Sequence, residues 1–336
     1  MQAMRPLTLA LLLAVLGTSF ADDSLKTTKV YGGRHWHPQS PKDYVRTYVR
    51  MPKDYDDTTM PAAVGVEMTR GFVSKSNSLV DPPMEGKPPN PMYVPIPNGD
   101  GTSFNYTSYE GNLMFPQNVG YQPFKFFYWG YNYHGHPPMP YAVPHYDLHF
   151  MFEEYDYWQK EWNPATSMGP CLGASPATFE KIFTAVPETC FPGGKSGAIT
   201  NIGNVNYMMG SHLVNLAGEE WTPAPKPFDW AQIYGQYDGR TAFFEPMVST
   251  KYMMSSPGSK RCIDISATMP LAMPKAMALP TQLCFEAYKS HWQVEYRKFK
   301  MVPGDCEGSE GYQGLYPVGS PIAEPVPEGC PIPKAP

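Results

Sequence analysis

Residues 144–152 read Pro-His-Tyr-Asp-Leu-His-Phe-Met-Phe (PHYDLHFMF). Along an extended strand successive side chains point to opposite faces. His145, Asp147 and His149 therefore share one face, and Tyr146, Leu148 and Phe150 share the other. A strand sorts these residues by polarity, whereas a helical period would scatter them. The stretch reads as a half-buried strand with an apolar inner face and a His-x-Asp-x-His outer face.

The same alternation recurs on both sides. Strands are expected at Lys29–Gly33, Tyr44–Met51 (YVRTYVRM), Val64–Met68, Phe124–Trp129, Tyr207–Val214, Ala231–Tyr237, Thr241–Phe244 and His291–Met301. Asp238-Gly239 lies between two of them and signals a hairpin turn. Residues 81–100 (DPPMEGKPPNPMYVPIPNGD) read as an ordered surface loop without regular structure. Short helices are expected at Trp158–Trp162 and at Pro176–Thr184, the second with Ser175 as N-cap. With 39 prolines, 29 glycines and 14% aromatic residues, long helices are disfavoured. The fold class is mainly β, a sandwich or barrel with minor helices and long Pro/Gly-rich loops, with α+β as the alternative.

The N-terminus carries Arg5, an apolar run from Leu7 to Leu16, and Ser19 and Ala21 at the positions a signal peptidase reads. Residues 1–21 are read as a signal peptide with Asp22 as the mature start, so the protein is expected outside the cytosol, in the periplasm or cell envelope if bacterial. No later run approaches the roughly 20 apolar residues a spanning helix needs. Six cysteines follow residue 170: Cys171, Cys190, Cys262, Cys284, Cys306 and Cys330. An even number in an exported chain points to disulfides. Nearest-neighbour pairing is the expectation: Cys171 with Cys190, Cys262 with Cys284, and Cys306 with Cys330. The expected organisation is a β-rich body over 22–255 bearing the histidines, with a Cys/Pro-rich segment over 256–336 packed on it. The net charge of −5 offers no electrostatic footprint for nucleic acid. Asn105-Tyr106-Thr107 is a glycosylation sequon, usable in a eukaryotic secretory pathway.

Four of the eight histidines fall close together: His134, His136, His145 and His149. Neutral imidazoles with a carboxylate suit zinc, iron, copper or nickel. His145 and His149 are the candidate ligands on the strand face, with Asp147 orienting from the second shell and His134 or His136 reaching in across the Pro-rich turn. The competing reading is a hydrogen-bonded polar core. Gly-x-Ser-x-Gly, P-loop, GxGxxG and HExxH motifs are absent, which leaves any enzymatic activity open.

The run PHYDLHF, preceded by GHPPMPYAVP, resembles the PHFDFHF signature of a little-characterised family of secreted and cell-envelope proteins, typified by a sigma-factor-controlled Thermus protein. Tyr44–Met68 is similar to that family's N-terminal segment, Met209–Asn215 (MGSHLVN) to its second histidine motif, and Tyr234–Met247 (YGQYDGRTAFFEPM) to its third. The ordered set spans residues 29–255; residues 81–100 are an insert, and Gly-His-Pro-Pro replaces an acidic residue after the histidine. The resemblance places motif residues at His136, His145, His149, His212 and Glu245, and implies His145, His149 and His212 as ligands of one divalent metal, zinc or else iron, manganese or copper, with Glu245 or His136 completing a cupin-like shell.

Other features lend themselves to different functions. Met269, Met273 and Met277 recur at intervals of four and could meet copper, but Pro270, Pro274 and Pro280 break the helix this needs, and an apolar cover is expected instead. The Tyr/Trp-rich stretch around Trp129 could stack on a glycan, against the expectation of core packing. A non-catalytic extracellular binding or structural module stabilised by disulfides, able to take a small molecule or glycan or to self-associate, is the alternative function.

Overall fold

A computed structural model describes residues 26–79, 92–97, 103–117, 119–136, 139–156, 158, 181, 184–187, 189–191, 200–206, 210–216, 218–221, 228–255, 257–304 and 306. Alternating sequences pair into two antiparallel sheets. One has six strands in the spatial order β1 (Thr27–His37), β2 (Ser40–Pro52), β3 (Ala63–Thr69), β14 (His291–Val302), β13 (Met277–Ala287) and β12 (Lys260–Asp264). The other has eight, in the order β4 (Met92–Pro97), β5 (Ser103–Met114), β6 (Phe126–Asn132), β7 (His145–Met151), β11 (Arg240–Ser249), β10 (Trp230–Tyr237), β9 (Gly210–Val214) and β8 (Thr200–Asn206). Among the described residues neither sheet closes on itself.

The inner faces meet as a sandwich. Tyr296 of β14 packs against Phe150 of β7, ring centroids 4.8 Å apart, and also against Phe124 and Phe244. Val49 and Val64 from one sheet and Trp129 and Leu148 from the other belong to the same buried cluster. Trp129 is fully buried there beside Phe72 and Tyr109, so its ring is core and not a sugar platform. Met269 and Met273 are buried in this cluster as well, as an apolar cover would be.

The β10–β11 hairpin turns at Asp238 and Gly239, both at positive φ (52° and 72°), the pair of conformations a type I′ turn requires. Two short helices are each capped by a hydroxyl. Thr69 caps α1 (Arg70–Ser74) and Ser249 caps α2 (Thr250–Met253). The helices expected at Trp158–Trp162 and Pro176–Thr184 fall mostly outside the described residues. So do the signal peptide, Cys171 and Cys330.

Three expectations are corrected. The Pro-rich stretch at 81–100 contains β4, which pairs with β5 from the sheet edge, where proline is tolerated. The segment after residue 255 is not an appendage, because it supplies β12 to β14, with β14 in mid-sheet between β3 and β13. Nearest-neighbour cysteine pairing holds only for Cys262–Cys284, which face each other across β12 and β13. Cys190 joins Cys306 across 116 residues of chain. The segment between them explains the choice. Cys190 O accepts from Leu271 N at 2.8 Å, while Met273 O accepts from Cys306 N at 3.4 Å. Residues 271–273 thus bring the two cysteines side by side.

The outer face of the six-stranded sheet carries an ion network built on three buried carboxylates. Glu67 meets Arg46 and Lys29, Glu295 meets Arg50 and Arg297, and Glu286 meets Arg297 and Lys260. The Tyr48 hydroxyl donates to Glu295 at 2.6 Å.

Candidate metal centre

The outer face of the eight-stranded sheet is different. Register sets Tyr128 beside His149, Gly130 beside Asp147 and Asn132 beside His145 across β6 and β7. On the far side Met247 lies opposite Asp147, and Glu245 opposite Ile233. His212 of β9 lies opposite Gly235, which lies opposite Phe243. Two apolar clusters flank this band. One gathers Phe126, Tyr128, Met151 and Phe243, the other Tyr141, Phe228, Ile233 and Met247.

His149, His212 and Glu245 form one group. His149 Nε2 lies 3.3 Å from Glu245 Oε1, and His212 Nε2 lies 3.4 Å from Glu245 Oε2. The three ligand atoms fall within 4.8 Å of one another, and all three residues are buried. A tetrahedron with zinc-like bonds of about 2.0–2.1 Å has edges of roughly 3.3 Å, which these two separations match. Phe243 wedges against both imidazoles, its ring 4.9 Å from that of His149 and 5.3 Å from that of His212. Gly235 makes room for it, since a Cβ there would stand 2.0 Å from Phe243 Cε1.

Burial disfavours the charged forms of His149 and Glu245. Burial pushes the His149 imidazolium down to about 3, against the pull of Asp147 and with His212 adding to the shift. Burial, and then the charge of Asp147, raise the Glu245 carboxyl well above the carboxylate range. Among the described residues, neither ring nitrogen of His149 nor Oε2 of Glu245 has a hydrogen-bond partner of standard geometry. Buried polar atoms are nearly always satisfied. Two imidazoles and a carboxyl group converging in this way are a donor set that a divalent transition metal accepts.

His136, His145 and Asp147 form a second group within the same 4.8 Å limit. Asp147 Oδ1 lies 3.0 Å from His145 Nε2, and Oδ2 lies 3.2 Å from His136 Nε2. Asn132 Nδ2 donates to Asp147 Oδ2 at 2.7 Å. Burial alone would raise the Asp147 carboxyl, but His145 and His136 outweigh it and hold it well below the carboxylate range.

The structure therefore divides the single shell that the family resemblance implied. His149, His212 and Glu245 come together; His145 and His136 belong with Asp147 instead. The reason is strand geometry. At about 3.3 Å of rise per residue, positions four apart on one strand lie roughly 13 Å apart, beyond the reach of one ion from parallel side chains. Asp147 is a direct candidate ligand and not a residue behind the shell. His134 is exposed, with its ring on Tyr133, and belongs to neither group. Asn105 lies on β5, its backbone paired with Pro95. Asn132, Phe243 and Gly235 escaped the reading of the sequence; the alternation of FFYWGYN that sets Asn132 on the polar face was the available signal. No family model matches the chain, nor does any curated protein or solved structure.

The fold and this face define a class: a disulfide-bonded β-sandwich with two buried His/carboxylate groups suited to metal. Among the described residues no helix is long and apolar enough to cross a membrane.

Proposed function

We propose that the protein is an exported metalloprotein that holds a divalent transition-metal ion through His149, His212 and Glu245. The observation that carries this reading is the convergence of one ligand atom each from buried His149, His212 and Glu245 within 4.8 Å of one another. Zinc fits best, because its tetrahedral edge matches the imidazole–carboxylate separations. Three protein ligands leave a fourth position for water or a substrate atom, the arrangement used by catalytic zinc sites. Export is supported by the two disulfides, which persist in oxidising compartments. Kinship with the PHFDFHF-type family is part of the same proposal and rests on the ordered motifs alone.

Elemental analysis of the full chain, purified without an affinity tag and reconstituted with zinc, tests the assignment. The expected result is bound metal that is lost from this centre in His149→Ala and Glu245→Gln. Folded protein that retains no metal in these three residues would overturn it and favour a metal-free binding module stabilised by disulfides.

A further inference from the structure

We infer that the same sheet face holds a second, separate divalent ion, bound by His136, His145 and Asp147. The argument begins at His145. Its Nδ1 lies 2.6 Å from the carbonyl oxygen of Val143. A carbonyl only accepts, so Nδ1 carries the proton and donates it. In the neutral ring Nε2 then presents a lone pair, and that lone pair faces Asp147 Oδ1 at 3.0 Å. Two electron-rich atoms at this distance need a proton or a cation between them, and the Asn132 amide, 3.3 Å from Nε2, is already held by Asp147 Oδ2 at 2.7 Å. A ring nitrogen donating to a backbone carbonyl while the other faces outward is the usual posture of a metal-bound histidine.

The carboxylate is prepared in the same way. Asn132 fixes Oδ2 by its hydrogen bond and leaves buried Oδ1 without a hydrogen-bond partner of standard geometry among the described residues. His136 is delivered by a built turn. Gly135 adopts φ 72°, and a Cβ there would stand 2.1 Å from Tyr141 O. The His136 N–H donates to that same Tyr141 oxygen at 3.3 Å, which ties His136 to the backbone just before β7. A glycine at positive φ against backbone is a requirement few other residues meet.

The ligand chemistry names the class of ion. Two imidazoles and one carboxylate on one side of an ion form the facial set that binds iron(II) and similar octahedral ions. Adjacent ligands of an octahedral ion with bonds of about 2.1 Å lie roughly 3.0 Å apart, close to the 3.0 and 3.2 Å separations here. All-oxygen ions such as calcium and magnesium are poorly served by two imidazoles. The site shares no residue with the His149 centre, so each stands or falls on its own.

Cobalt(II) titration of the metal-free full chain, followed by visible ligand-field absorption and by metal analysis, tests this. Circular dichroism checks that each variant is folded. Wild type is expected to bind two equivalents, with one lost in His136→Ala and again in Asp147→Asn. His136 is on a loop and half-buried, so its removal spares the sheet. One equivalent that survives both substitutions but disappears in His149→Ala overturns this inference and leaves the first centre intact. One equivalent lost in His136→Ala but kept in His149→Ala supports it while removing the first centre. No binding overturns both.

Discussion

Glu295 and Glu245 occupy equivalent places on the two outer faces of the sandwich, each almost wholly buried on a central strand. Their surroundings are opposite. Glu295 receives the Tyr48 hydroxyl and the guanidinium groups of Arg50 and Arg297. Glu245 faces two imidazoles, one of them kept neutral by burial, and its own carboxyl is driven towards the protonated form. One sheet uses its buried charge to hold strands together. The other gathers imidazoles and a carboxyl group under apolar cover without a guanidinium beside them, a burial that costs stability unless a partner compensates it.

This contrast can be broken most sharply at the two glutamates. Glu295→Ala leaves Arg50 and Arg297 around a buried vacancy and is expected to cost about 3–5 kcal/mol in urea unfolding. Glu245→Gln in metal-free protein is expected to cost less than about 1 kcal/mol, since a neutral amide of similar shape replaces a carboxyl whose charged form burial disfavours. Equal losses at the two positions would erase the distinction between the faces.

Gly235→Ala comes next. The new methyl must displace the Phe243 ring, for a cost of about 1–3 kcal/mol. Because that ring touches both His149 and His212, weaker metal retention should accompany the loss. Unfolding midpoints and metal content measured on the same sample would check both.

A smaller effect separates the faces by pH. Burial would raise the Glu286 carboxyl, but Tyr288, Lys260 and Arg297 together hold it below its ordinary value. A depressed carboxylate contributes its full stability above the unfolded-state value and loses it as pH falls through the folded-state value. Glu286→Gln should therefore flatten the acid limb of stability, by roughly 1 kcal/mol or less given the half-exposed Lys260. The smallest effect is expected at His134. It is exposed and outside both groups, so His134→Ala should change stability by less than about 0.5 kcal/mol and leave metal content unaltered.

Much of the fold was legible because polarity alternates cleanly in YVRTYVRM and PHYDLHF, and both form strands. The strands β4 and β13 were not, because each contains proline. Pro95 and Pro97 sit on an edge strand. Pro280 lies beyond the end of β12, whose pairing stops at Gln282, so the strand there has a neighbour on one side only. The polar face of β7 was legible from period two alone. Its division was not, although the spacing held the clue: His145 and His149 are too far apart on an extended chain to share an ion. The partners of each histidine depend on β6, β9 and β11, which strand periodicity in one segment cannot choose.

The placement of β14 between β3 and β13 also governs how the chain matures. Thr69 at the end of β3 pairs with His291, roughly two hundred residues later in the chain. At a synthesis rate of about 5–20 residues per second, β3 waits for roughly 10–40 s with one edge bare. During that interval the N-terminal strands are open to wrong partners. The six-stranded sheet is thus completed last in order of synthesis, by the strand that ends up near its middle.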